Sequence, residues 1–176
     1  MKPNATAVAN YLIELSERDQ VPIRLTGLLC RVYACHGFSL AINNRPLVDP
    51  MYDRIESWDN GVAIPSVYHS FKCYHVNPVL NPAYMSSWDG TKDVFYEPRL
   101  ESKDDRELVE TVWMRYILLD DKAIRALMCD PGTPWSMAHV FGENRLIPDD
   151  TTKWYYTKVM ELIQEKHRKQ EKRKGS

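Results

Sequence analysis

The chain contains no glycine-rich phosphate loop, no HExxH helix and no GxSxG elbow. That removes the commonest signatures of nucleotide binding, zinc proteolysis and serine hydrolysis. Its four cysteines, Cys30, Cys35, Cys73 and Cys129, show no CxxC spacing and sit among apolar or aromatic neighbours. They read as reduced, partly buried thiols rather than as a disulfide framework. Net charge is nearly absent, at −1, which argues against nucleic-acid binding by the chain as a whole. No stretch approaches the roughly 18 apolar residues that span a bilayer. The segment from Met1 to Arg24 lacks the basic start and apolar run of a secretory signal, and it carries Glu14, Glu17, Arg18 and Asp19. The expectation is a cytoplasmic protein that does not enter a membrane.

What is present is a helical pattern. With 176 residues, one domain suffices, and burial of roughly 70% of the unfolded chain's surface needs no metal or disulfide. Asn4 or Thr6 suits a cap for a first helix, with Val8, Tyr11, Leu12 and Leu15 on one face. A second helix, Leu25 to Ala41, is apolar on so much of its circumference that it reads as the central, most buried one. Residues 47–58, broken by Pro50, fit short extended pieces or a small hairpin. Asp59-Asn60-Gly61 is a turn signal, and Pro65 suits the first turn of another helix. Ser102, Asp121 and Thr133-Pro134 open further helices, and Asp149, Asp150 or Thr151 caps the last one. In that last helix Trp154, Val159, Leu162 and Ile163 are expected to pack inward. Beyond Glu165 no apolar face remains, so the helix is expected to fray into a solvated basic tail. The fold class is therefore mainly α: a compact domain of about six helices with a small hairpin or extended segments. Residues 1–163 form the domain and 164–176 the tail.

The stretch from Tyr74 to Arg99 is irregular, with Pro78, Pro82, Asp89-Gly90 and Pro98 among several aromatics. Long irregular segments in compact domains are often functional. Its aromatics are expected to pack down, with a hairpin turning near Asp89-Gly90. Because binding hot spots favour Trp and Tyr, Tyr84, Trp88, Phe95 and Tyr96 are the candidate partner-binding residues. Trp113 and Trp154 read as inner-face helical residues instead.

Catalytic and metal chemistry finds little support. His69 and His75 flank Cys73, but no second pair offers zinc spacing. His36, before Gly37, reads as a helix C-terminal residue bonding to carbonyls. A nucleophile pair of Cys35 or Cys73 with His69 rests on residue type alone. No cofactor is expected, and the chain reads as a non-enzyme.

Three stretches carry a resemblance. Thr6-Ala7-Val8-Ala9-Asn10-Tyr11-Leu12-Ile13 is followed by Val32-Tyr33-Ala34-Cys35-His36-Gly37-Phe38-Ser39-Leu40-Ala41. The middle stretch runs from Ile55-Glu56-Ser57-Trp58-Asp59-Asn60-Gly61 through Ile64-Pro65-Ser66-Val67-Tyr68 to Lys72. The last is Gly132-Thr133-Pro134-Trp135-Ser136-Met137-Ala138, then Gly142-Glu143-Asn144-Arg145-Leu146-Ile147-Pro148. In this order and at these separations they resemble the Panacea domain of SocA-like antitoxins, found on bacterial chromosomes, prophages and phages. The chain departs from the pattern at Val62, where proline is common, and at Gly27 to Cys30, where polar residues are common.

The resemblance implies a helical domain that neutralises a toxin by direct binding, in one form as an adaptor for proteolysis. It implies structural roles for Trp58, Asn60, Gly61, Pro65, Tyr68, Trp135, Glu143 and Asn144, with Glu143 and Asn144 tying down the last link. The partner is then a cognate toxin or, for a phage-borne inhibitor on the same scaffold, a host defence protein. A homo-oligomer is compatible with either. A DNA-binding winged helix is the alternative from another class; it requires Arg18, Arg24, Arg31, Lys72 and the tail to share one surface.

Overall fold

The computed structural model describes residues 5–175. Among them are seven α-helices and five short strands. Helix α2 (Leu25–Asn43) is the axis, buried continuously from Gly27 to Leu40. A helix that is apolar all round must be surrounded. Five helices accordingly pack on it: α1 (Ala5–Asp19), α3 (Pro65–Phe71), α4 (Lys103–Tyr116), α5 (Asp121–Cys129) and α7 (Asp149–Lys174). By length and composition α2 is sufficient to cross a bilayer, which corrects the expectation that no stretch comes close. Its most apolar window is 83% buried inside the fold. The apolar run is interrupted by Thr26, Gly27, Arg31, His36, Gly37 and Ser39, which hid it from a count of consecutive residues.

Two positions explain how closely α2 is packed. A Cβ at Gly37 would lie 2.2 Å from Cδ2 of Tyr156, so glycine is what admits the α7 ring against the α2 backbone. Tyr156 is fully buried there, edge-on to Tyr33 at 5.9 Å and Phe38 at 5.0 Å. Neither Gly37 nor His36 ends the helix, contrary to expectation. His36 is fully buried mid-helix; its Nε2 meets Asp149 Oδ1 at 2.9 Å, and Val48 N–H donates to its Nδ1 at 3.4 Å. It thus pins α2 to the start of α7 and to the 47–48 segment. Helix α2 ends instead at Asn44, in the left-handed conformation at φ 52°, which Asn tolerates.

Three helix starts follow the capping chemistry, but α7 does not: its N-cap position is Pro148, and Asp149, Asp150 and Thr151, expected to cap it, already lie inside the helix. The side chains of Ser102, Asp120 and Thr133 accept from Asp105, Ala123 and Ser136 N–H groups, opening α4, α5 and α6 (Pro134–Ala138). For α1, the Asn4 cap lies outside the described residues, and Thr6 is already inside the helix. Ala5 N–H donates instead to Oδ2 of buried Asp53 at 2.8 Å. The other oxygen of Asp53 takes the Ser66 hydroxyl, 2.6 Å away, at the start of α3 (Pro65–Phe71). One carboxylate therefore ties the first described turn of α1 to the first turn of α3.

Two small sheets complete the fold. Strands β1 (Glu56–Trp58) and β2 (Gly61–Ala63) form a hairpin around the expected Asp59-Asn60 turn, with Gly61, at φ +128°, the first residue of β2. Of residues 47–58, expected to be extended or a small hairpin, only 56–58 form a strand. Their sheet gains a third, antiparallel strand on the far side of β1, the short β5 (Arg145–Leu146). Strands β3 (Met85–Trp88) and β4 (Asp93–Tyr96) form a separate antiparallel ribbon.

Helix α7 departs from its expected form in three ways. Trp154 is 49% exposed, with Lys158 Nζ 5.1 Å from its ring centroid, and Leu162 is 59% exposed. The inward stripe is Thr152, Tyr156, Val159, Met160 and Ile163, so Val159 and Ile163 pack inward as expected. The helix also continues to Lys174, where fraying past Glu165 was expected. Its residues from 164 onward are exposed, helix-favouring Lys, Arg, Glu and Gln dominate, and Lys169 pairs with Glu165 one turn away.

Candidate partner-binding surface

Asn10 organises the surface from inside the body. This buried residue of α1 donates from Nδ2 to Ala83 O and to Pro98 O, both at 3.0 Å, and accepts from Ala83 N–H at 2.8 Å. Ala83 precedes β3 and Pro98 follows β4, so one side chain gathers both ends of the ribbon. At the far end Asp89 builds the turn. Its Oδ1 accepts from Thr91 N–H (2.8 Å), Thr91 Oγ1 (2.7 Å) and Lys92 N–H (3.0 Å), with Gly90 at φ +100°. The Thr91 hydroxyl and these backbone donors hold the Asp89 carboxyl below its ordinary value.

Between clamp and turn the ribbon stands clear of the core. The register pairs Met85 with Tyr96, Ser86 with Phe95, Ser87 with Val94 and Trp88 with Asp93. Side chains alternate across a strand, so Ser86, Trp88, Asp93 and Phe95 share one face and Met85, Ser87, Val94 and Tyr96 the other. By the same alternation Tyr84 joins Trp88 and Phe95. These three are 63%, 64% and 73% exposed, against 42% for Tyr96 on the opposite face. The expectation that these aromatics pack down is therefore corrected. A two-stranded ribbon has too little surface to form its own core, and this one is carried by its clamp.

The candidate binding residues are thus brought together, with Tyr96 turned away from the other three. Asn10 was missed. The available signal was a polar residue on an otherwise apolar helix face, beside the small residues Ala7 and Ala9. Below the ribbon lies a cavity of about 630 Å³ between α1 and the 97–101 segment. Its charged lining is Glu14, Glu17, Glu97 and Glu101 with Arg99 and Arg106, so the base of the ribbon is acidic.

The family-motif residues form a different cluster. Trp135 Nε1 donates to Trp58 O at 3.0 Å, and Trp58 lies edge-on to Tyr68 at 5.1 Å. The Trp135 ring stacks on His139 at 4.3 Å, and His139 Nε2 meets Asp59 Oδ1 at 2.9 Å. This contact and the Gly142 N–H hold the Asp59 carboxyl below its ordinary value. Asn60 O accepts from the Arg125 guanidinium, Gly61 begins β2, and Pro65 occupies the first turn of α3. These contacts join β1, β2, α3 and α6. Glu143 and Asn144 differ from expectation, both being exposed. Among the described residues Glu143 accepts only from Arg145, two positions on, at 2.6 Å, and Asn144 makes no side-chain hydrogen bond. The link is held instead by the β1–β5 pairing and by Ile147 N–H donating to Ile55 O.

The residues weighed for chemistry fall in two places. Cys30 and Cys35 are buried in α2. Burial pushes the Cys30 thiol up to about 12 and raises that of Cys35 as well, which leaves them protonated and poorly nucleophilic. His69, Cys73 and His75 are exposed on and after α3. Among the described residues no group of three or more His, Cys, Asp or Glu is placed to hold a metal ion.

The arrangement is a helical body presenting a clamped, exposed aromatic ribbon. The chain is similar to Antitoxin SocA of Caulobacter vibrioides (strain NA1000 / CB15N), with 27% identity over 135 residues. That stretch covers 76% of this chain and 69% of that protein. No family model and no solved structure matches the chain.

Proposed function

We propose that this protein is a non-catalytic, cytoplasmic antitoxin that neutralises a toxin by direct protein–protein binding, on a scaffold of the Panacea type. The observation that carries this reading is the exposure of Tyr84, Trp88 and Phe95 together on one face of a ribbon whose ends are clamped by Asn10. Rigidly held aromatics give large contact area with little entropy lost on binding, which is how hot spots work. The similarity to an antitoxin over most of the chain supports the choice of a toxin as the partner. The acidic base of the ribbon favours a toxin surface with apolar side chains flanked by basic ones. Delivery of the bound toxin to proteolysis, and carriage on a phage or prophage, are the finer parts of the same reading.

The test is co-expression with the product of the neighbouring gene. Growth arrest by that product alone, its rescue by this chain, and recovery of a complex between the two purified proteins are the expected results. Failure to rescue or to form a complex counts against the reading.

A further inference from the structure

A second surface lies on α7. A groove of about 340 Å³ runs between this helix, the end of α4 and α5. Its apolar lining includes Leu127, Tyr155, Val159 and Leu162. Its ionisable side chains other than tyrosines are Arg115, Lys166 and His167, all basic, and among the described residues no carboxylate lines it. Tyr155, Val159, Leu162, Lys166 and Gln170 recur at helical spacing, so a single stripe of α7 makes one wall. At about 100° per residue Arg173 continues that stripe past the groove with Lys169 and Lys174 at its margins, whereas Glu161 and Glu171 fall on the far side and Glu165, paired with Lys169, lies about a quarter turn away. The stripe therefore changes from apolar to basic along one line.

Two simpler accounts leave part of this unexplained. Cations near a helix C-terminus offset the helix dipole, which covers Lys172, Arg173 and Lys174. That effect fades within the last turn and does not reach Lys166 or His167. Solubility accounts for the charges but not for Leu162 at 59% exposure, or for Leu118 at 95% just beyond α4.

We propose that the groove and the basic stripe beyond it form a second docking surface, separate from the ribbon. Its occupant is an amphipathic helix of a partner protein, with leucine-sized side chains on one face and carboxylates beside them. The stripe from Tyr155 to Lys174 is roughly 30 Å long, enough for a helix of about 20 residues, and an apolar face laid in a groove is a common recognition mode. Nucleic acid needs the cations but has no use for the apolar floor. An anionic membrane needs an apolar face along the arm, and the arm past Glu165 has none. A second copy laid symmetrically in the groove would bring two basic stripes together.

The test uses the full chain and a synthetic helical peptide of about five turns, leucine on one face and glutamate on the flanks. Titration followed by amide chemical shifts is expected to show saturable binding with changes centred on Leu127, Leu162 and Lys166. The double variant Lys166→Glu, His167→Glu is expected to weaken binding at least about tenfold, because it sets like charges against the peptide, while the helical circular dichroism stays unchanged. Trp88→Ala is expected to leave peptide binding intact, which separates this surface from the ribbon. The proposal is overturned by absence of saturable binding, by equal affinity of the double variant, or by equal affinity for a leucine–lysine peptide. It is likewise overturned if random-sequence duplex DNA or anionic vesicles bind more tightly than the acidic peptide.

Discussion

The side-chain amide of Asn10 and the backbone of Ala83 form a closed pair of hydrogen bonds, one given and one received, as two strand residues would. The same Nδ2 also reaches Pro98 O on the ribbon's return strand. An α1 side chain thus substitutes for the sheet neighbour that β3 and β4 lack, and it sets where the ribbon leaves the body.

The first prediction follows from that clamp. Asn10→Ala leaves Ala83 N–H without its acceptor and two carbonyls without their donor. Each unmatched buried group costs roughly 1–3 kcal/mol. Amides of residues 84–97 are expected to exchange with solvent faster in the variant, while those of α2 keep their protection. Partner affinity is expected to fall, because the aromatic face is no longer held in one orientation. Unchanged exchange in the ribbon would show that Asn10 is not what holds it.

The ribbon and the motif cluster are expected to respond to mutation in opposite ways. Trp88→Ala or Phe95→Ala removes an exposed ring, so unfolding temperature is expected to move by no more than a degree or two. Affinity for the proposed toxin partner is expected to drop by about 2 kcal/mol or more, the scale of a hot-spot aromatic. Trp135→Ala removes the donor to Trp58 O and the stacking partner of His139. Its expected cost is about 2 kcal/mol or more of stability, which is several degrees for a domain of this size, with toxin affinity per folded molecule retained. Calorimetric unfolding and binding titration on the same three variants decide the matter. Equal loss of stability in all three defeats the division.

The helices were legible because their signals are local. Ser102 and Thr133 cap the helices they were expected to cap, Pro65 opens α3, and α2 announces its burial by being apolar on every side. What was not legible depends on residues far apart in the chain. His36 reads as a helix end until Asp149, 113 positions away, is seen against it. Asn10 carries no sign of its role until Ala83 and Pro98 arrive. Trp154 and Leu162 fall outward because the packing stripe of α7 is set by Tyr156 finding Gly37, a match of shapes on two helices. The exposure of Trp88 and Phe95 was misjudged for a related reason. Aromatic content implies burial only where another layer is available to cover it, and nothing in the sequence showed that this ribbon has none.

The match between Gly37 and Tyr156 makes a third prediction. Gly37→Ala raises intrinsic helix propensity in α2, which alone would stabilise it by roughly 1 kcal/mol. The added methyl, however, lies 2.2 Å from Tyr156 Cδ2, well inside contact distance, and Tyr156 is enclosed by Tyr33 and Phe38 and cannot swing away. Overpacking of this kind costs about 1–3 kcal/mol, so net destabilisation is expected, larger still for Gly37→Val. The double variant Gly37→Ala, Tyr156→Leu is expected to recover part of the loss, since removing the ring relieves the clash. An unfolding temperature raised by Gly37→Ala alone would contradict this packing.

Acid sensitivity offers the last prediction, through Asp19 at the end of α1. Its carboxylate takes the Arg18 guanidinium at 2.9 Å and the buried Trp113 indole N–H at 2.8 Å. These bonds, Arg18 first, lower its pKa from 3.8 to about 2. In that interval the unfolded chain binds more protons than the folded one, so stability rises with pH there. The contribution of Asp19 is complete above pH 3.8 and is lost as pH falls toward 2. Asp19→Asn retains an acceptor for Trp113 but removes the charge facing Arg18. The variant is therefore expected to be less stable than the wild type at pH 7, and the gap between them to close as pH drops from 4 to 2. Urea unfolding midpoints across that range measure it. A gap that stays constant would mean that the Asp19 charge contributes nothing, and that the indole hydrogen bond alone ties Trp113 to the end of α1.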